Sequence, residues 1–417
     1  MKKQIREVIT HPLFSGSAIM ILGSNSASGL NYLYHFIVAK LLIVPSLYGE
    51  VVSLISIIGL IGIIPAALNL VIVKEISSAK NESEVNNLIR WFKEKMFIAA
   101  LIFSIIVLIF SPIISSFLNI DKGSYLIFVS IFIFFSLLTG FNRAILQGLL
   151  KFKEFVITLL FENGAKLILS VIFIYMGFKV EGPLLAFLIA GFLGWYLTVL
   201  FLKYKRVELS NFSPDVKSML KFTIPVIIQT AAITSLYTTD VVLVKHYFSS
   251  HQAGIYGSLS VLGKIIFFAT GPISSVMFPL VAKRKAKGEP YKKIFIYSFI
   301  MTSIFALFSL TVYWLFPEFI INLLYRKEYL EAKNLVVWFG IFISLFTLSS
   351  LLTNYNLSIG RTKVTLFPLI AAIAQIVMIV LFHQTLFTVI MISTVVTALL
   401  LTSLLIYSSY DRRRIAI

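Results

Sequence analysis

The chain has 417 residues and a net charge of +18, with 59% hydrophobic residues and only 13% charged ones. Soluble domains carry about 25% charged residues, so a soluble globular chain is excluded. The absence of cysteine excludes disulfides and thiolate metal sites, and the basic balance is that of membrane-flanking loops rather than of a nucleic-acid surface.

The N-terminus, MKKQIREVITHPLF, is basic, and the long apolar run behind it lacks a small-residue cleavage site. It reads as a retained first span, not a signal peptide. Twelve helical spans follow the recurring apolar runs, at 14–41, 48–74, 91–118, 124–150, 153–178, 182–204, 218–247, 252–282, 292–316, 330–357, 363–382 and 386–409. The connections are short and marked by Pro45-Ser46, Gly177, Gly182-Pro183 and Gly360. The most linker-like stretch is KYKRVELSNFSPDVKS, 203–218, between the sixth and seventh spans. The expected fold is an all-α polytopic membrane protein.

Charge placement supports this count. Alternate loops hold Lys2, Lys3 and Arg6, then Lys74 to Lys95, Arg143 to Lys153, Lys203 to Lys221, Lys283 to Lys293, Arg361, Lys363 and Arg412 to Arg414, in all about 27 of the 36 basic residues. The opposite loops hold Lys122, Lys179, Lys245, Arg326, Lys327 and Lys333, while Lys40, Lys166 and Lys264 lie in or at the ends of spans. Basic residues collect on the cytosolic side, so both termini are expected in the cytosol and the protein in the cell membrane.

The chain repeats. Ser17, Ser24, Ser28 and Asn31 in the first span have the same seven, four, three spacing as Thr223, Thr230, Thr234 and Tyr237 in the seventh, which places each set on one helix face. LYGEVVSL (47–54) matches IYGSLSVL (255–262), and SLLTGFN (136–142) matches SLLTNYN (350–356). Six spans repeat as six, so residues 1–206 and 207–417 are expected to form two six-helix lobes related by a pseudo-two-fold axis along the membrane normal.

AKLLIVPSLYGEVVSL (39–54), AILQGLLKF (144–152), FTIPV (222–226) and Asp240 followed by GIYGSLSVL (254–262) resemble the polysaccharide flippases of the multidrug/oligosaccharidyl-lipid/polysaccharide exporter superfamily. The resemblance runs over all twelve spans. Lys40, Leu42, Pro45, Tyr48 and Gly49 fit the family's pattern between the first two spans, and Val44 stands where glycine is usual. The resemblance implies transport of a polyprenyl-(pyro)phosphate-linked oligosaccharide from the cytosolic to the outer leaflet by alternating access, for cell-surface polysaccharide synthesis.

Charges inside spans are costly and usually face a cavity or a partner. Glu162 and Lys166, one turn apart in the fifth span, read either as a self-neutralising pair or as cavity groups in which Lys166 meets an anion. Lys264, deep in the eighth span, reads as the lining of a wet, anion-accepting cavity, or else as a partner of Asp240 or Glu162. Asp240 would pair with Lys245, His246 or Lys40, or bind an ion. His35 continues the first span's stripe and reads as a hydrogen-bonded group or a proton relay. Arg143 would hold a phosphate bidentately or snorkel to the headgroups. Asn142 and Asn356 should hydrogen-bond between helices.

The expected substrate-binding residues are therefore Lys264, Lys166, Arg143, Asn31, His35 and Lys40. Asp240 and Glu162 are the expected ion-coupling residues, and Asn142 and Asn356 are structural. The cleft would be lined mainly by the first, second, seventh and eighth spans. No GxxxxGK[ST] loop, HExxH or nucleophile–base pair stands in the sequence, so neither a nucleotide cofactor, nor a metal, nor an enzyme activity is expected. Na+ or H+ is the candidate coupling ion. The expected partners are membrane lipid, the lipid-linked glycan and other polysaccharide-assembly membrane proteins, the chain itself being a monomer with no nucleic-acid partner. An ion-coupled multidrug antiporter would want a carboxylate-dominated cavity. A glycan polymerase or ligase would want an outer loop larger than PEFIINLLYRKEYLEAK (317–333).

Overall fold

A computed structural model describes residues 12–79, 81–120, 122–202 and 216–414, and every regular element among them is helical. The helices are α1 (Pro12–Leu42), α2 (Pro45–Ile61), α3 (Ile63–Ser78), α4 (Glu82–Ile109), α5 (Ser111–Phe117), α6 (Tyr125–Gly148), α7 (Phe152–Tyr175) and α8 (Glu181–Leu202). They continue with α9 (Val216–Tyr247), α10 (Ser250–Ala286), α11 (Lys292–Leu315), α12 (Pro317–Leu324), α13 (Val336–Ser358), α14 (Leu366–Leu381) and α15 (Leu386–Arg414). Short 3₁₀ turns, Lys327–Asn334 and Thr362–Thr365, precede α13 and α14.

Among the described residues, nine helices are long and apolar enough to cross a membrane, and two bent pairs raise this to eleven. The helix α1, whose polar stripe dilutes its apolar character, makes the twelfth. The chain is an all-α, multi-pass membrane protein of twelve helical spans. The sequence boundaries needed three corrections. The second span breaks at Gly62 with a 44° bend and the third at Phe110 with a 54° bend. In both, a proline follows the break: Pro65 and Pro112 cannot continue the hydrogen-bond ladder behind them. The tenth span begins at Val336 rather than 330, because 327–334 is taken by the 3₁₀ turn.

Local signals set several other ends. Asn81 caps α4 by accepting from the Glu84 backbone N–H at 2.8 Å. Ser249 and Gln252 form a reciprocal capping box at the start of α10. Gly177, Gly288 and Gly360 close helices with positive φ, a backbone region that glycine enters without steric cost. Ile43, between α1 and α2, also has φ of 63°; a β-branched residue is strained there, beside the Val44 at which the sequence departs from its resemblance.

The contacts divide the chain into two compact units. The first comprises Met1–Leu42 with Ile61–Ile227, the second Ile43–Leu60 with Ile228–Ile417. The short helix α2 thus packs with the second unit rather than with its sequence neighbours, and the expected 206/207 lobe boundary lies outside the described residues. Each unit is built round one central helix. In the first, α6 packs on α4, α3 and α8; in the second, α13 packs on α10, α11 and α15. These two are the most buried spans, at 61% and 67%, against 17–50% for the others assessed. They are also the spans carrying SLLTGFN and SLLTNYN. Lipid gives little hydrophobic drive between helices, so close backbone approach at small residues replaces it. Gly148 meets Ile76, Gly191 meets Phe132, and Gly340 meets Leu310 and Tyr313.

In the second unit, α2 and α10 approach so closely that a Cβ on Gly254 would collide with the Pro45 carbonyl, and one on Gly49 would lie 2.7 Å from the Gly254 nitrogen. Tyr48 is buried against Tyr325 and Tyr329, ring centroids at 6.1 and 6.2 Å, which ties the loop around the 3₁₀ turn to α2.

Candidate functional site

Each unit holds a polar cluster inside apolar helices. In the first unit, Lys166 on α7 is buried. Its Nζ donates to Asn31 Oδ1 of α1 at 2.7 Å and to Asn163 Oδ1 at 3.1 Å. The same ammonium sits 5.0 Å from the Tyr34 ring centroid and 4.8 Å from that of Phe187, within cation–π range. Neutral amides and aromatic faces thus surround a lysine that apolar burial would otherwise penalise.

Glu162 takes Arg143 of α6 as its ion-pair partner, not Lys166 one turn on. Arg143 Nη2 stands 2.7 Å from Glu162 Oε2, with both side chains mostly buried. The contact is close but off-line for a hydrogen bond at that oxygen. Arg143's directed bonds run to Thr158, from Nε to Oγ1 at 3.0 Å and from Nη2 to the backbone oxygen at 2.7 Å. Arg143 does not snorkel: its guanidinium is spent within the unit, on α7. Gly194 of α8 makes room for the carboxylate, since a Cβ there would stand 3.0 Å from Glu162 Oε2.

In the second unit, Asp240 on α9 is fully buried. Tyr256 of α10 donates to its Oδ2 at 2.7 Å, and Lys264 is the opposite charge that acts on it. Its Oδ1 has no hydrogen-bond partner. Asp240 is therefore held by Tyr256, with Lys264 as a nearby opposite charge. A buried carboxylate with one unfilled oxygen is chemically able to take a proton or a small cation. Lys264 Nζ lies 5.4 Å from the Tyr237 ring centroid, so Tyr237, last member of the repeated polar face, meets the lysine directly. Of the charges around Lys264, that of Asp240 acts on it across the α9–α10 pair. Lys245 is fully buried and donates to Ser250 Oγ at 2.7 Å across the α9–α10 turn.

Asn142 and Asn356 each bond across to a neighbouring helix. Asn142 donates to Thr198 Oγ1 of α8 at 2.8 Å, and Asn356 to Ser408 Oγ of α15 at 2.8 Å. His35 is buried with its ring edge-on to Tyr34 at 5.2 Å. Lys40 is half-buried near the end of α1. The structure adds Asn163, Thr158, Tyr34, Phe187 and Tyr256 to the candidates. The i, i+3 spacing of Asn163 and Lys166 and the repeated position of Tyr256 were usable signals. Tyr34 and Phe187 had none, being two aromatics in a chain with 18 Tyr and 38 Phe. Among the described residues, no three His, Asp or Glu side chains gather closely enough to hold a metal ion.

Comparison with known proteins agrees with this architecture. Residues 37–334 match the family described as "Polysaccharide biosynthesis protein". An uncharacterized membrane protein of Methanocaldococcus jannaschii is 27% identical over 362 residues, covering 80% of this chain and 83% of that one. Among solved structures, the lipid II flippase MurJ in an inward closed conformation superimposes with a TM-score of 0.76 at 15% identity, covering 94% of this chain and 87% of that one. An inward-facing multidrug resistance MATE family transporter of the MOP superfamily gives 0.74 at 16% identity, covering 93% and 96%. At these identities the structural likeness is one of fold.

Proposed function

Because the chain belongs to the polysaccharide biosynthesis protein family, we propose that it moves a polyprenyl-(pyro)phosphate-linked oligosaccharide from the cytosolic to the outer leaflet of the cell membrane. Transport proceeds by alternating access. The lysine within a span of each unit carries the reading. Lys166 is held by neutral amides and aromatic rings, and Lys264 stands over Tyr237 with a single carboxylate as its opposite charge. Such cations suit the anionic headgroup of a lipid-linked glycan. Asn31, with the polar face of α1, serves the glycan, and His35 and Lys40 lie on the same helix. Arg143 acts through Glu162 as a positioning residue. Asp240 is the candidate for coupling to Na+ or H+, supported by its unfilled oxygen.

The same oxygen is the one observation that favours an ion-coupled multidrug antiporter. The two lysines weigh against a cationic drug.

The test is Lys264→Ala in protein reconstituted into vesicles, with insertion verified. Loss of most glycan translocation is expected. Undiminished translocation removes Lys264 from the mechanism. In cells lacking the protein, lipid-linked repeat units should accumulate on the inner leaflet; drug hypersensitivity without such accumulation would favour the antiporter.

A further inference from the structure

A cavity of about 780 Å3 opens in the first unit, lined by α4, α6 and α8. It shares no residue with the cluster round Lys166. Its body is apolar, with Met96 and Phe97 on α4, Leu138 and Phe141 on α6, and Val199 on α8. The charged side chains of its wall, Arg90, Lys93 and Glu94, are confined to little more than one turn of α4.

Two contacts fix the walls. Asn142, the one amide among the lining side chains, donates to Thr198 Oγ1 at 2.8 Å, which ties α6 to α8 and commits that amide within the protein. The Phe97 ring packs edge-on against Phe134 at 5.6 Å, which ties α4 to α6. The body of the cavity thus suits hydrocarbon, which asks for no hydrogen bond.

The sequence of α4 places the cavity at a membrane boundary. Residues 82–95 include Glu82, Glu84, Arg90, Lys93, Glu94 and Lys95, whereas residues 96–109 carry no charge. Such a change marks where a helix passes from the headgroup layer into hydrocarbon. It falls within the cavity, with Arg90 and Lys93 on one side of it and Met96 and Phe97 on the other. From Arg90 to Phe97 the helix rises roughly 10 Å, enough to cross a headgroup layer of about 5–8 Å. Trp195, on the α8 wall, is a residue type enriched at that level.

The charges narrow the guest. A charged mouth on an apolar body fits an amphiphile, and two cations against one carboxylate make it an anionic one. Arg90 Nε meets Glu94 Oε1 at 3.2 Å, with side chains 47% and 61% exposed. So exposed a pair contributes little, and the guanidinium can turn to a phosphate, which it matches bidentately. Lys93 lies three residues on, along the same helix face. We propose that this cavity holds an anionic glycerophospholipid of the surrounding bilayer. Its phosphate meets Arg90 and Lys93, and the upper part of one acyl chain lies along α4, α6 and α8. The leaflet is the one beside the basic α3–α4 loop, the cytosolic one by charge placement. A single water needs about 10–15 Å3, so the space is ample. The proposal is independent of the transported substrate.

The test is native mass spectrometry of the full-length protein in detergent, titrated with dioleoylphosphatidylglycerol and with zwitterionic dioleoylphosphatidylcholine. The anionic lipid should bind roughly tenfold tighter. Arg90→Gln with Lys93→Gln, both exposed and so tolerated by the fold, should erase that preference. Lys292→Gln with Lys293→Gln, exposed lysines of the second unit, should leave it intact. Glycerophosphoglycerol, the same phosphodiester without acyl chains, should bind roughly tenfold more weakly than the lipid, or worse. The proposal is overturned if the two lipids bind alike or if the preference survives the Arg90 and Lys93 substitutions. It is overturned equally if the Lys292 and Lys293 substitutions erase the preference, which would show general attraction to a basic protein. Glycerophosphoglycerol binding as tightly as the lipid would mark a site for free phosphate and overturn it too. Farnesyl phosphate binding tighter than phosphatidylglycerol, and lost with the Arg90 and Lys93 substitutions, would overturn the phospholipid in favour of an isoprenoid phosphate.

Discussion

The Tyr256 hydroxyl donates to Asp240 Oδ2 at 2.7 Å, joining the start of α10 to the C-terminal half of α9 around a fully buried carboxylate. Tyr256→Phe leaves that oxygen buried and unpaired at nearly constant volume. Hydrogen bonds to charged groups contribute about 1.5–3 kcal/mol, so a fall of that order is expected in unfolding experiments in detergent.

Asp240→Asn tests the coupling role separately. If Asp240 takes up the coupling ion, transport into vesicles should lose its dependence on an imposed Na+ or H+ gradient while headgroup binding persists. Gradient-driven transport at wild-type level would exclude Asp240 from coupling.

Arg143 and Glu162 form a mostly buried pair, their side chains 12% and 16% exposed. Removing one partner of such a pair is strongly destabilising, by about 3–5 kcal/mol when burial is complete. Arg143→Ala and Glu162→Ala should each cost toward the lower end of that range. The double substitution should cost clearly less than their sum. Additive losses in a double-mutant cycle would show that the pair is not coupled.

Asn142→Leu and Asn356→Leu should cost similar amounts, about 0.6–2 kcal/mol each, because each asparagine ties the central helix of its unit to that unit's last helix. Their effects should add. A large loss for one and none for the other would break the equivalence of the two repeated motifs.

Gly254→Ala places a methyl group against the Pro45 carbonyl, where backbone must move rather than a flexible side chain. Limited proteolysis should find α2 less protected in this variant, at lower thermal stability. Gly164→Ala, where a Cβ meets nothing within 4 Å, should be neutral or slightly stabilising through helix propensity. Equal behaviour of the two variants would contradict the packing of α2 on α10.

Much of the fold was legible because the bilayer demands it. A span must satisfy its own backbone and present apolar side chains for about twenty residues, and such runs are visible in one dimension. The repeat was legible for a related reason. SLLTGFN and SLLTNYN mark the two helices that other helices surround, so both need small and hydroxyl residues for close contact and an amide for a cross-helix bond. The charges were found but their partners were not. Glu162 and Lys166 stand at an ideal i, i+4 spacing, yet Arg143 from α6 reaches the carboxylate and Asn31 from α1 reaches the amine. Spacing along a helix establishes only which groups share a face, whereas the neighbouring helix decides what that face meets.

The sequence by itself determined the membrane class, the twelve spans, the repeated central helices and the family, because hydrophobic length, periodicity and local motifs are properties of contiguous residues. The tertiary structure alone decided that Tyr256 holds Asp240, that Tyr34 and Phe187 enclose Lys166, and that α2 packs with the second unit. Each of those outcomes depends on the approach of helices distant in the chain, where a single ring, glycine or hydroxyl supplies the contact and leaves no pattern in its own segment.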